Sequence, residues 1–171
     1  MKVVAYIGLG ANLQDPVAQV EHALAELGRL EHCRLLASSR LYLSAPVGYD
    51  GQPDFVNAVA ALETGLSPRA LLDELFRIEQ RHGRERHFKN APRTLDLDLL
   101  LYGDARFHED GLTLPHPRMH GRAFVLRPLA EIAPALHLPD LGALGPLLDA
   151  VAEQAAWPLA APCSSVAGGG A

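Results

Sequence analysis

Two aspartates, Asp96 and Asp98, interrupt a run of leucines at residues 95–101. If this run is a β-strand, alternate side chains share a face, so both carboxylates point the same way, about 7 Å apart. The leucines at 95, 97 and 99 then face the core. Two carboxylates on an apolar strand repel each other and lose hydration, and a hard divalent cation offsets both costs. The pair therefore suggests Mg²⁺, which uses one or two carboxylates together with substrate phosphates and water.

Basic side chains concentrate just before this strand. Residues 77–93 hold six Lys or Arg against two Glu, and residues 116–127 add three Arg without an acid. A solvent-facing strand would explain the aspartates alone, and a solvated surface would explain the basic residues alone. Together they favour phosphoryl transfer, because Arg binds phosphate through two parallel hydrogen bonds and commonly acts beside a metal. Residues 84–93 are therefore predicted to form a loop that closes over an anionic ligand.

The composition is that of one globular domain. The 171 residues are 49% hydrophobic, with a net charge of −5, which argues against partners such as duplex nucleic acid or anionic membranes. We expect a single domain over residues 1–160, a flexible tail over 161–171, and a monomer. Cys33 and Cys163 are far apart, and no apolar run approaches the length of a membrane span. These features favour free thiols and a cytoplasmic location.

The pattern of apolar residues and helix caps predicts an α+β fold. Short strands are expected at residues 3–9, 33–44, 54–64 and 94–102. Asp15-Pro16 and Ser67-Pro68 are typical starts of helices, which Gly28 and Gly83 would end. The resulting order, βαββαβ, is the ferredoxin-like arrangement, with two helices on one face of a mainly antiparallel sheet. Further helical turns are predicted near residues 117–133 and 146–156.

Other signatures of nucleotide or metal binding are weak. The sequence has no G-x-x-x-x-G-K-[ST] motif, and Gly8-Leu9-Gly10 lacks the third glycine of a dinucleotide-binding loop. His116 and His120 have a spacing that suits zinc on a helix. Pro117 disfavours a helix there and no third ligand is evident, so zinc is not predicted at this pair.

Several motifs, taken in order, resemble those of the 6-hydroxymethyl-7,8-dihydropterin pyrophosphokinase family. The resemblance covers about residues 3–140 and is most specific in the segment from Lys89 to Leu100. It rests on AYIGLGANL at residues 5–13, QPDFVN at 52–57, IE at 78–79 with GR at 83–84, KNAPRTLDLDLL at 89–100, and LPHP at 114–117. The resemblance implies a ferredoxin-like enzyme that transfers pyrophosphate from ATP to a pterin alcohol, in folate biosynthesis, and releases AMP.

The resemblance also implies a role for individual residues. Asp96 and Asp98 would hold two Mg²⁺ ions that bridge the ATP phosphates, and Asp98 would accept the hydroxyl proton. Arg84 and Arg93 would be catalytic arginines of the loop. ATP would contact Glu79, Arg86, Arg93, Leu99, Thr113, His116 and Arg122. The pterin would contact Ser44, Val47, Phe55, Asn57 and Phe124, with the two aromatic rings on either side of it, as a flat heterocycle requires.

Two alternatives remain at this point. The same topology and basic cluster occur in ferredoxin-like RNA-binding modules that have no catalytic activity, but such modules stack bases on strand aromatics. The chain has only nine Phe and Tyr residues and no run typical of those modules. The other alternative is a metal-dependent nucleotide hydrolase, which would turn over ATP without an acceptor.

Overall fold

The computed structural model describes residues 2–12, 15–45, 54–82 and 95–159. The elements that form the main sheet and its helices are β1 (Val3–Ala11), α1 (Pro16–Leu27), β2 (Cys33–Ser38), β3 (Tyr42–Ser44), β4 (Phe55–Thr64), α2 (Pro68–Arg81) and β5 (Asp96–Tyr102). The remaining elements are β6 (Phe107–Glu109), β7 (Leu112–Leu114), a 3₁₀ turn (Met119–Gly121), α3 (Ala123–Ile132), β8 (His137–Leu138), β9 (Gly142–Ala143), α4 (Leu144–Ala150) and β10 (Ala156–Pro158).

The central sheet is antiparallel, with the strand order β10-β3-β4-β1-β5, and β2 also pairs with β4. Strand β1 pairs with β4 from Val3 opposite Thr64 to Ala11 opposite Val56. Its other edge pairs with β5. With β2 and β3 counted as one interrupted strand, this order is the predicted ferredoxin-like βαββαβ arrangement.

Both predicted helix starts are confirmed. The Ala18 amide donates to the Asp15 carboxylate at 3.4 Å, and the Ala70 amide donates to the Ser67 hydroxyl at 3.1 Å. In each helix a proline follows the cap, where its missing N–H costs no helical hydrogen bond. The first helix ends before Gly28, as predicted, while Gly83 lies outside the described residues.

The sheet is covered on both faces, and the two faces carry different residues. One face packs against α1 and α2 in a cluster that includes Leu95, Leu97 and Leu99, as the alternation in β5 predicts. The other face meets α3 in a second cluster, which includes Val59 and Leu100. Asp96 and Asp98 therefore project on the side of α3.

Two details of the predicted elements are wrong. The strand expected over residues 33–44 breaks after Ser38, because the side-chain hydroxyl of Ser39 takes the place of a backbone hydrogen-bonding group between the strands. Ser39 accepts a hydrogen bond from the Val59 amide at 3.0 Å and donates to the Arg40 carbonyl at 2.7 Å. The helix expected over residues 146–156 instead spans Leu144–Ala150, and the chain then forms strand β10.

Cys33 and Cys163 are both predicted to be free thiols. Cys33 is a free thiol whose Sγ lies 3.1 Å from the Thr64 hydroxyl, and burial raises its pKa. The other predicted free thiol, Cys163, lies outside the described residues.

No helix in the described ranges is long and apolar enough to cross a bilayer.

Replacing Leu75 with Ala should lower the free energy of unfolding by about 2–5 kcal/mol, because the side chain is fully buried on α2 and its loss leaves a cavity. Urea denaturation measures this change. Leu36→Ala is the matched control, since Leu36 is 43% exposed and its truncation should cost much less. Equal effects of the two substitutions would contradict the packing described here.

Candidate active site

The register of β1 sets the floor of the site. Gly10 lies opposite Asn57 on β4 and opposite Asp96 on β5, while Gly8 lies opposite Asp98. Residues directly opposite each other share a face of the sheet, so the amide and both carboxylates project together on the face that α3 partly covers. Neither glycine carries a side chain into the space between these groups, and the Leu100 side chain packs over Gly8. A Cβ on Gly10 would approach Asn57 Nδ2 to 3.1 Å.

A cavity of about 250 Å³ opens above these glycines. Half-buried Phe55, at the start of β4, and Phe124, in the first turn of α3, both line it. Its other lining residues are Gly8, Leu9, Gly10, Ser44, Ala45, Asn57, Ala58, Asp96, Asp98, Arg122 and Val125. The cavity thus combines two aromatic rings with a small number of polar groups, the usual make-up of a site for a flat organic ligand.

Asn57 is held in one orientation by its neighbour on β3. The Ser44 hydroxyl donates to Asn57 Oδ1 at 2.6 Å, and both residues are only 4% exposed. Because this bond occupies the carbonyl oxygen, Nδ2 lies on the Gly10 side of the carboxamide. The amide thereby presents a fixed donor toward the cavity.

The chain after α4 positions the start of α3. Gln154 accepts a hydrogen bond from the Ala123 amide at 2.9 Å and donates to the Gly121 carbonyl at 2.9 Å. In the next turn, Arg127 donates to the Ala156 carbonyl at 2.6 Å. These bonds fix the helix end that carries Phe124, over whose ring the Arg122 guanidinium lies, 5.5 Å from the centroid.

A second cavity, of about 330 Å³, lies on the other side of the two aspartates. It is bounded by α2, by β5 and by the segment from Gly111 to Pro117. Its lining residues are Leu72, Phe76, Glu79, Asp96, Leu97, Asp98, Leu99, Gly111, Leu112, Thr113, His116 and Pro117. Leu72 and Phe76 of α2 therefore line this cavity together with the two aspartates of β5.

Asp96 and Asp98 line both cavities. Both are half-buried, and the Asp98 side chain keeps 44% of its surface exposed. Two carboxylates on one face with open space on either side fit a hard cation that completes its shell with phosphate and water oxygens. The two carboxylates are suited to Mg²⁺, which prefers oxygen ligands.

The edge of β5 is held by a buried carboxylate. Among the described strands, β5 lies at the end of the sheet, so some of its backbone groups need partners from outside the sheet. Glu79, 2% exposed on α2, accepts the Leu97 amide at 2.7 Å, and the His116 amide donates to the Leu100 carbonyl at 2.9 Å. These bonds fix the strand on which both aspartates stand.

His116 is held as a neutral donor. Burial lowers its pKa; nearby Arg122 and Arg118 act in the same direction, and Asp98 opposes them. The ring Nδ1 accepts the Arg118 amide at 3.2 Å, which leaves the proton of the neutral ring on Nε2. Nε2 lies 3.9 Å from an Asp98 oxygen, so its N–H is available beside the carboxylates.

The structure brings most of the predicted site residues to these two cavities. Ser44, Phe55, Asn57 and Phe124 line the first, and Glu79, Leu99, Thr113 and His116 line the second. Arg122, predicted to contact ATP, lines the first cavity with the aromatic rings. Val47, Arg84, Arg86 and Arg93 lie outside the described residues.

Two residues of the site were missed in the sequence. Phe76 is 44% exposed and lines the second cavity. The sequence could have indicated it, because Phe76 lies three positions before Glu79 and therefore on the same face of α2. Gln154 had no signal, because its contacts with residues 121 and 123 join segments that are distant in the sequence.

Replacing Glu79 with Leu should lower the free energy of unfolding by about 1–3 kcal/mol or more, because the buried Leu97 amide loses its acceptor. Urea denaturation again measures the change. Asp73→Leu, at an exposed position on the same helix, should have a smaller effect. If the two variants are equally stable, the carboxylate does not hold the strand edge.

Comparisons with known proteins show the family of the chain. The family model described as "7,8-dihydro-6-hydroxymethylpterin-pyrophosphokinase (HPPK)" matches residues 6–134. A 2-amino-4-hydroxy-6-hydroxymethyldihydropteridine pyrophosphokinase of Haemophilus influenzae is 51% identical over 81% of this chain and 86% of its own. The enzyme of that name from Pseudomonas aeruginosa is 51% identical over 79% and 83%.

Solved structures support the fold. A crystal structure of Plasmodium falciparum HPPK-DHPS with pteroate matches 90% of this chain with a TM-score of 0.70 and 13% identity. The present chain spans 45% of that longer protein, so this likeness concerns the fold alone. From the family model and the close relatives, the chain belongs to the 7,8-dihydro-6-hydroxymethylpterin-pyrophosphokinase family.

Proposed function

We propose that the protein transfers the pyrophosphoryl group of ATP to the hydroxymethyl oxygen of 6-hydroxymethyl-7,8-dihydropterin, forming the pterin diphosphate and AMP in folate biosynthesis. The observation that carries this proposal is the position of Asp96 and Asp98 on the wall shared by two cavities. Transfer between two substrates requires that the acceptor oxygen and the phosphate meet at one point. Family membership supplies the identity of both substrates.

The pterin would occupy the first cavity. Phe55 and Phe124 offer apolar faces to its flat ring, and the fixed Asn57 amide offers a donor to its polar edge. A ring held in this way would direct its hydroxymethyl group toward Asp96 and Asp98. Ser44 would act through Asn57, whose orientation it sets. Val47 is a further proposed contact.

ATP would occupy the second cavity. Leu72 and Phe76 offer an apolar surface for the base, and Thr113 and the neutral His116 offer donors to the phosphates. Glu79 would act mainly by fixing the strand edge, and Leu99 would contribute backbone contacts, since its side chain is 3% exposed. Arg122 would reach the phosphates from the first cavity, where it lies beside Phe124.

Asp96 and Asp98 would hold Mg²⁺, with two ions expected when ATP is bound. The metal would supply charge neutralisation for the phosphate oxygens. Arg84 and Arg93 are proposed to stabilise the charge that develops during transfer, and Arg86 to contact the nucleotide. These three arginines belong to the basic segment between α2 and β5.

The proposed reaction is a single displacement at the β-phosphorus. The hydroxymethyl oxygen forms a bond to that phosphorus as the bond to the bridging α–β oxygen breaks, and AMP leaves with that oxygen. Asp98 is proposed to accept the hydroxyl proton. Most of the rate enhancement would come from positioning of the two substrates and from electrostatic stabilisation.

The position of α3 argues against the RNA-binding alternative. In RNA-binding ferredoxin-like modules the sheet presents an open face to bases, whereas here α3 packs on the face opposite α1 and α2. No observation favours the nucleotide hydrolase. We further propose a monomeric, cytoplasmic enzyme with one catalytic domain over residues 1–160; the tail predicted over residues 161–171 lies outside the described residues.

AMP release from ATP should require both Mg²⁺ and the hydroxymethyl pterin. Asp96→Asn should lower kcat on the order of a hundredfold or more without loss of stability, because it removes a charge at the point of transfer. Chromatographic separation of AMP and ADP measures the reaction. Asp73→Asn, with the same charge change at an exposed site of α2, should have wild-type activity. Production of ADP, or turnover without the pterin, would contradict the proposed reaction.

Replacing Asn57 with Ala should weaken pterin binding at least about tenfold, because a buried donor to the ligand edge is lost. Calorimetric titration with the pterin, in the presence of a non-hydrolysable ATP analogue, measures this affinity. The affinity for the analogue alone should stay unchanged. Gln80→Ala removes an exposed carboxamide from α2 and should alter neither affinity. A pterin affinity that Asn57→Ala leaves unchanged would place the pterin elsewhere.

A further inference from the structure

We propose that His22, Glu26 and His82 form a Zn²⁺ site between the ends of α1 and α2, outside both catalytic cavities. One potential ligand atom from each residue lies within 4.8 Å of the others. Two imidazole nitrogens and one carboxylate are a common set of zinc ligands, with the fourth position left to water. None of the three residues lines either cavity of the active site.

The helices bring these residues together in a simple way. His22 and Glu26 are four residues apart on α1, so they share one face of that helix. His82 caps the carboxyl end of α2 and is 9% exposed. Its ring meets that of His22 edge to face, with the centroids 5.3 Å apart. The site therefore has two ligands from one helix and a third, buried ligand from its neighbour.

The surroundings of His82 favour a metal on its Nε2 atom. Nδ1 is hydrogen-bonded to the Gln19 side-chain oxygen, an acceptor, so Nδ1 carries a proton. Nε2 is hydrogen-bonded to Glu26 Oε1 at 2.5 Å. Zn²⁺ would take the place of the proton between these two atoms, because metal ligands bind in their deprotonated form. An acceptor on the remote nitrogen is the usual second-shell support of a zinc-bound histidine.

Glu26 is supported in the same manner. Its other oxygen, Oε2, accepts a hydrogen bond from Arg81 Nε at 3.0 Å, which orients the carboxylate and leaves Oε1 toward His82. The carboxylate thus keeps Oε1 for the metal.

An ion and its water can reach the site from solvent. An open depression lined by His22, Glu26, Arg29, Leu30 and Arg81 lies against it, and His22 itself is exposed. The two nitrogen ligands favour Zn²⁺ over Mg²⁺, which prefers oxygen. The distances among the ligand atoms must adjust to about 3.3 Å for tetrahedral bonds of about 2.0 Å.

Tag-free protein, freed of metal with a chelator, is titrated with Zn²⁺ against a chromogenic chelator. We expect one equivalent to bind with a Kd below about 100 μM. His22→Gln should weaken this binding at least about tenfold, and since His22 is exposed, the variant should keep the wild-type circular dichroism spectrum. Gln19→Ala should weaken it about ten- to a hundredfold. His137→Gln, at another exposed histidine, is the matched control and should bind as the wild type does.

His116 and Asp98 are a competing location for Zn²⁺, since they lie 3.9 Å apart. His116→Gln should therefore still bind one equivalent through the proposed site. As a second readout, Co²⁺ should give a tetrahedral visible spectrum that His22→Gln abolishes and His116→Gln retains. Binding that survives His22→Gln, binding that His116→Gln removes, or no binding below about 100 μM would each overturn the proposal. None of these measurements depends on turnover of ATP or the pterin.

Discussion

The antiparallel register of β1 between β4 and β5 is the constraint on which the site depends. It places Asn57, Gly10 and Asp96 in one row and Gly8 opposite Asp98. Because Gly10 has no side chain, Asn57 and Asp96 face a common space above it, which belongs to the first cavity. A shift of one residue would turn the carboxylates into the leucine core. The packed leucines of β5 thus fix the direction of its aspartates.

One face of β5 packs in the leucine core and the other carries the two aspartates. The strand also lies at the edge of the described sheet. No other strand of the described residues pairs with this edge, and its buried Leu97 amide donates instead to Glu79. The same carboxylate therefore belongs to the fold and to the wall of the second cavity. Such sharing explains how a small domain places two ligand cavities around one pair of aspartates.

The first cavity depends on segments that follow the ferredoxin-like core. Helix α3 closes the second face of the sheet, and Gln154 holds its first turn through the backbone of residues 121 and 123. Phe124 reaches the cavity from that turn, opposite Phe55 of the core. The end of α2 has a comparable arrangement, where Gln19 and Arg81 support His82 and Glu26. In both places carboxamide and guanidinium groups orient the residues that are proposed to bind a ligand.

The sequence by itself determined the order of the core elements, the helix starts at Asp15 and Ser67, and the common direction of Asp96 and Asp98. These features depend on local periodicity and capping, which act between residues close in the chain. The resemblance to a family added the aromatic pair and Asn57. Only the tertiary structure decided that the aspartates separate two cavities, that Ser39 breaks a strand, and that Gln154 supports Phe124. Each of these depends on backbone groups far apart in sequence, whose pairing follows from how the layers pack and leaves no local pattern.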